Sequence, residues 1–397
     1  MTLPLEGVTV VSLEQAVAAP FATRQLADQG ARVLKVERVD GGDFARAYDT
    51  SVRGMGSHFV WLNRGKESVA LDVKTGEGLA LLRELVARAD VFVQNLAPGA
   101  AARLGLSAER LRAERPELVV VDLSGYGSSG PYRDRKAYDL LVQSEGGLVS
   151  ITGTPDAPAK TGIPTADIAA GMYAYSGVLA ALLRRGRTGE GAHIEVAMLD
   201  AVAEWMGHPL YLAAYTGEQP PRTGLSHPVI APYDAYPTAD GEVLIGIQND
   251  RGWRLLVTEV LGRPELAEDP EYATNAARVR NRSAVDAAVA AATKGFATED
   301  LVARLDAAGI ASARVNTVRQ LIEHPQLSER DRWRTVDTPV GPIRAVLPPA
   351  TFADAEARMG AVPAHGQHTA AVLAELGRDT AAVAGLVGRG VVFVPDA

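Results

Sequence analysis

The first two hundred residues alternate short apolar runs with helix-periodic segments, and this alternation limits the fold more than any other feature of the chain. Strand-like runs fall at 8–13, 32–37, 91–94, 118–123 and 193–198, with helical patterns at 20–29, 76–88 and from Ser107 onward. A helix between two strands carries the chain back so that the strands run parallel, with helices covering the sheet faces. The expectation is an α/β fold with a Rossmann-like parallel sheet. The dinucleotide motif of such sheets is missing. After the first strand the chain reads EQAVAAPFATRQ, without the G-x-G-x-x-G that lets backbone approach a pyrophosphate. The later GYGSSGPYRD follows a strand but leads into a charged loop, and no P-loop pattern occurs.

From Gly224 the texture changes. HPVIAPYDAYPTADGEVLIGIQND reads as two strands about the turn TADG, and helical segments follow from Trp253 to about Gly309. A smaller α+β domain is expected over 225–324, joined by a linker at 201–224. DTPVGPIRAVLPPATFAD is Pro-rich and extended, and HTAAVLAELG returns to helix.

The 397 residues contain no cysteine, which excludes disulfides, thiolate metal sites and a cysteine nucleophile. Of seven histidines only His365 and His368 lie close together, and that pair reads as a loop and a helix start rather than a metal site. A net charge of −8 argues against nonspecific nucleic-acid binding, so an anionic ligand needs a local basic pocket. MTLPLEGVTVVSLEQ shows no basic n-region or long apolar segment, so a cytoplasmic location without membrane attachment is the expectation.

One carboxylate stands out. Asp167 heads the uncharged run from Ile168 to Leu183, too short and Gly-rich to span a bilayer and therefore read as a core helix closed by Arg184 and Arg185. Asp167 is either that helix's N-cap or a reactive carboxylate at a buried helix start.

Six blocks, in order over nearly the whole chain, decide what it resembles: VVSLEQAVAAPFATRQLADQGARVLKVERVDGGDFAR, LNRGKESVALDVKTGEG, DVFVQNLAPGAAARLGL, GYGSSGPYRDRKAYDLLVQSEGGL, PTADIAAGMYAYSGVLAALLRR and HTAAVLAELG. Together they resemble the class III CoA-transferases, the group of formyl-CoA and carnitine CoA-transferases whose relatives include the 2-methylacyl-CoA racemases. The resemblance implies that 325–397 rejoins 1–200 in the large domain, and that two chains interlock as a homodimer. It implies acyl-CoA and a small carboxylic acid as substrates, with no permanently bound cofactor.

In that family a catalytic aspartate matches Asp167. Residues matching Val17, Arg38, Leu71, Lys74, Asn95, Leu96, Arg103, Lys136 and Tyr138 line the CoA groove. Lys35 is a further cation at a strand exit, where open α/β sheets bind ligands. Val17 replaces a Gln of formyl-CoA transferase, which argues against formate or oxalate as substrate. That enzyme's long glycine loop is not found here either. The racemase His falls at Tyr138, a poor base at neutral pH, and the racemase Glu falls near Gln248, Asn249 or Asp250, with Asn249 the best match. The block around 227–253 resembles the branch that moves CoA from succinyl-CoA to itaconate, glutarate, malate or mesaconate. A distal carboxylate then needs a cation, for which Arg46, Arg64, Arg222 and Arg251 are candidates, and Asp139 is either a salt-bridge partner or a site residue. Two alternatives stay open: a 2-methylacyl-CoA racemase, and a catalytically idle acyl-CoA-binding protein.

Overall fold

The structure is a computed structural model describing residues 2–396. Its chain divides into two units, one formed by Met1–Leu148, Lys160–His208 and Arg330–Ala397, the other by Val149–Ala159 and Pro209–Glu329.

The first unit is built on strands β1 (Thr9–Leu13), β2 (Arg32–Glu37), β3 (Lys66–Leu71), β4 (Val91–Gln94), β5 (Val119–Ser124) and β6 (His193–Ala197), closed at one edge by a strand at Val392–Phe393. The order is Val392–Phe393, β3, β2, β1, β4, β5, β6, and only the edge pair is antiparallel. This is the Rossmann-like sheet expected, and the order of strands reverses between β1 and β4. β3 is hidden in the sequence because Lys66 and Ser68 occupy fully buried positions, breaking the apolar run. The C-terminal segment completes this core. Val372, Leu373, Leu376, Leu386, Val391 and Val392 pack in one cluster with Leu34, Val69, Leu82 and Phe92.

The crossover from β5 to β6 is a long helix, Thr165–Thr188. At 24 residues it exceeds the run read from the sequence and is long and apolar enough, by length and composition, to cross a bilayer. Its Ala166, Ala169, Ala170, Ala174, Val178 and Ala181 are buried, and it packs on the first helix (Ala18–Asp28) and on β5 and β6, while Met172, Tyr173 and Leu183 stay exposed. Gly171 permits the close crossing: a Cβ there would stand 2.6 Å from the Ala18 carbonyl oxygen.

The second unit carries an antiparallel sheet of β7 (Tyr233–Pro237), β8 (Glu242–Gly246) and β9 (Ser312–Arg314). It has its own core, with Tyr236, Val243, Ile245, Trp253, Val257, Val285, Val289, Leu301 and Leu305. The divisions differ from the sequence reading. Residues 201–224 are not a linker: helices at Met198–Trp205 and Gly207–Thr216 occupy most of that span, and 149–159 joins the second unit. The Pro-rich segment after residue 336 forms a hairpin of β10 (Trp333–Val336) with β11 (Ile343–Val346).

Candidate active site

Asp167 is not the N-cap. Pro164 holds that position without a side-chain bond, and Asp167 lies in the first turn. The first N–H groups of a helix need acceptors, and here they come from another helix. Asp139, in the first turn of Asp139–Glu145, accepts from the Ala166 N–H (2.8 Å) and the Asp167 N–H (3.2 Å) through Oδ1. Its Oδ2 accepts from Gln143 Nε2 at 2.6 Å, and the fully buried Gln143 accepts in turn from the Thr161 N–H and hydroxyl. Asp139 is therefore a cap and not a salt-bridge partner among the described residues.

This division of labour leaves the Asp167 carboxylate half-buried with no hydrogen-bond donor among the described residues. Removal from water, and then the Asp139 charge, push its pKa up to about 7. Tyr48 and Tyr138 lie in the same electrostatic neighbourhood: burial first, then Asp43, Asp167 and Tyr138, raise the Tyr48 phenol above its ordinary value. Tyr48 was not singled out from sequence, since nothing in ARAYDTS marks it. Its ring meets His58 edge-on, and His58 meets Trp61 likewise, making an aromatic row.

The expected CoA-groove residues all follow the carboxyl ends of five adjacent strands: Val17 after β1, Arg38 after β2, Leu71 and Lys74 at the end of β3, Asn95, Leu96 and Arg103 after β4, and Lys136 and Tyr138 after β5. This is the edge at which open α/β sheets take ligands. Arg38, Lys74, Arg103 and Lys136 are exposed and have no carboxylate partner among the described residues. The Arg38 guanidinium lies 4.2 Å over the Phe44 ring and donates to the Gly42 carbonyl. Tyr138 is 71% exposed. Asn95 ties the two loops at the strand-order reversal, accepting from the Gln15 N–H (2.9 Å) and donating to the Gln15 carbonyl (2.8 Å). Leu96 is half-buried against the main core.

Two of these residues offer little side-chain surface. Leu71 is 1% exposed inside the core and Val17 is buried as the N-cap of the first helix. Lys35 is a correction of greater consequence. It points into the protein, bonded to Asp43 at 2.7 Å with Glu14 at 3.5 Å, so no CoA phosphate reaches it. Lys66 joins the same cluster, donating to Glu14 Oε1, the Pro20 carbonyl and Asn63. Burial lowers the Lys66 pKa to about 8 against the pull of Glu14.

The arginines considered for a distal carboxylate separate sharply. Arg46 forks onto Glu37 and lies over Phe59, and Arg64 forks onto Asp28; both are committed to structure. Arg222 donates to the Ser150, Thr154 and Pro155 carbonyls, within the second unit. Arg251 is exposed and unpaired among the described residues. The residue aligned with the racemase Glu, Asn249, caps Asp250–Leu255 by accepting the Gly252 N–H. His365 bonds the Arg38 carbonyl and His368 accepts the Ser68 N–H, so the two histidines serve separate contacts.

A half-buried carboxylate without a donor in the first turn of a helix, and a set of exposed cations after the strand ends, are the features of this unit suited to a reactive carboxylate and to an anionic ligand. Residues 5–369 match the model of CoA-transferase family III, and the chain belongs to that family. Over 383 residues it is 37% identical to the succinate–glutarate CoA-transferase of Agrobacterium fabrum, covering 94% of this chain and 96% of that one. It is 34% identical to the succinyl-CoA–D-citramalate CoA-transferase of Chloroflexus aurantiacus, covering 94% of each. Among solved structures, a CAIB/BAIF family protein from Brucella suis superposes with a TM-score of 0.83 at 37% identity, covering 95% of this chain and all of that one.

Proposed function

We propose that this CoA-transferase moves CoA from succinyl-CoA to a C4–C6 dicarboxylic acid, such as glutarate or itaconate, with Asp167 as nucleophile. The observation that carries the reading is the Asp167 carboxylate left without a donor while Asp139 satisfies the helix start. The names of the relatives, which pair succinate or succinyl-CoA with glutarate and citramalate, support the substrate class.

An Asp167 oxygen attacks the thioester carbonyl, and collapse of the tetrahedral adduct expels CoA thiolate, leaving a mixed anhydride. The thiolate attacks the aspartyl carbonyl, succinate departs, and Asp167 holds CoA as a thioester. The acceptor carboxylate then attacks that carbonyl, releasing thiolate and forming a second anhydride. Thiolate attack on the acceptor's carbonyl frees the product and regenerates Asp167. Acyl energy is passed along throughout, so the cycle consumes no nucleotide. Anhydrides and thioesters hydrolyse, which is why a carboxylate drawn partly out of water suits the task. The exposed cations at the strand ends hold the phosphates of CoA.

The racemase alternative is disfavoured because Tyr138 lacks an imidazole's basicity and Asn249 is engaged as a cap. The reading includes a cytoplasmic location and a homodimer, the latter supported by the exposed apolar residues Leu210, Tyr211 and Tyr215 of the helix Gly207–Thr216.

The test is mass spectrometry of the purified protein with succinyl-CoA and a pooled panel of acids: glutarate, itaconate, malate, mesaconate, oxalate and carnitine. A new dicarboxyl-CoA ester is expected, together with hydroxylamine inactivation that requires acyl-CoA. Asp167→Ala is expected to lose exchange on the order of 10⁴-fold or more while its melting temperature stays near wild type. Deuterium entry at the α carbon of a 2-methylacyl-CoA, with no new ester, would overturn the reading in favour of racemisation.

A further inference from the structure

Ala16 is, among the described residues, one of three non-glycine residues with positive φ, at 63°, in the loop between β1 and the first helix. Such a conformation is strained for a residue with a side chain and persists only when its surroundings over-determine it. Asn95 holds the neighbouring Gln15 on one side, and Asp43 holds Ala16 itself. Asp43 Oδ1 accepts from the Ala16 N–H and the Ala45 N–H, both at 2.9 Å, and its Oδ2 accepts from Lys35 Nζ at 2.7 Å. The side chains of Lys35 and Asp43 are both 0% exposed. Glu14, one step before this loop, sits between Lys66 and Thr23.

A buried ion pair is weak evidence for stability, because apolar residues of the same volume often serve as well. What an apolar pair does not provide is an acceptor for two backbone N–H groups. Those groups belong to the loop that starts the first helix and to the segment that leads to Tyr48. The first helix is the one crossed closely at Gly171, one turn beyond Asp167 on the same face of the long helix.

We propose that Asp43 is a positioning residue for the transfer at Asp167: through its acceptor oxygen it fixes residues 15–18 and 44–48 about the nucleophile. The proposal rests on the functional reading above and adds to it a role outside the groove. What the role requires is the acceptor oxygen and not the charge. Lys35→Met with Asp43→Asn removes both charges and keeps a carbonyl oxygen for the two N–H groups. Lys35→Met with Asp43→Leu removes the acceptor.

Both variants are compared with wild type by melting temperature, by hydrogen exchange of the segment covering 15–19, and by kcat and KM with succinyl-CoA. The Asn variant is expected to keep exchange protection and to hold kcat within about threefold. The Leu variant is expected to melt near the Asn variant, to lose protection at 15–19, and to lose kcat on the order of 100-fold at unchanged KM. Should the Leu variant not fold, Asp43→Ala in the same Lys35→Met background replaces it. Full kcat in the variant lacking the acceptor overturns the proposal, as does lost kcat with protection at 15–19 intact. If wild type itself forms no hydroxylamine-sensitive thioester, the functional reading fails, and the exchange comparison still judges whether Asp43 orders the loop.

Discussion

Asp139 performs two tasks with one carboxylate. It accepts the N–H groups at the start of the long helix, and its charge adds to the desolvation that lifts Asp167 to about 7. If Asp167 must be ionised to attack, kcat/KM rises with pH through that value and falls below it as the carboxylate is protonated. Asp139→Asn retains an acceptor oxygen but no charge. The rising limb of its pH profile is therefore expected at lower pH than in wild type, yet above the ordinary aspartate range, because burial is the larger cause. A limb that does not move, measured between pH 5 and 9, would mean that Asp167 is not the titrating group. The sequence singled out Asp167 and left Asp139 open. Which of two aspartates 28 positions apart caps a helix depends on how two helices meet, and no local pattern records that.

Among the elements, the two helices that meet near Asp167 set the geometry. Gly171 costs the long helix about 1 kcal/mol relative to Ala in propensity. The Cβ of Gly171→Ala would gain that, but it stands 2.6 Å from the Ala18 oxygen and 3.0 Å from the Phe21 ring. Relieving such an overlap costs typically about 1–3 kcal/mol, so the clash outweighs the propensity. The variant is expected to melt below wild type and to turn over more slowly, both measured on one preparation. A gain in melting temperature would show that the helices have room to part. Legibility followed burial chemistry. β2 and β4 were bounded correctly from sequence because their residues read as continuous apolar or amphipathic runs. β3 was missed because Lys66 and Ser68 are buried by hydrogen bonding rather than by hydrophobicity. The same blindness placed Lys35 in the groove. A lysine at a strand exit looks solvated until its partner 8 residues on, Asp43, is seen to fold back over it.

For the whole molecule, the expected groove cations Arg38, Lys74, Arg103 and Lys136 fall in the loops after four parallel strands, β2 to β5, and so share one edge of the sheet. The division of the chain was less legible in the sequence, because 149–159 leaves the first unit only briefly and carries no change of composition. The second unit has its own core about Trp253, Val257 and Leu301, and no element of the seven-stranded sheet contributes to that core. Residues 209–329 expressed alone are therefore expected to unfold cooperatively with heat, as followed by circular dichroism. A featureless melt would show that this core depends on the remainder of the chain.

The first unit has no such independence, and the reason lies at its edge. Leu71 pairs with Val392, so β3 meets its outer neighbour only after the rest of the sheet and the whole second unit, which lie between them, have been made. Until then the ribosome has released an open parallel sheet with one unpaired border and part of its apolar face bare. Any delay in translation between β3 and Val392 prolongs the interval in which that border is free to pair with another chain.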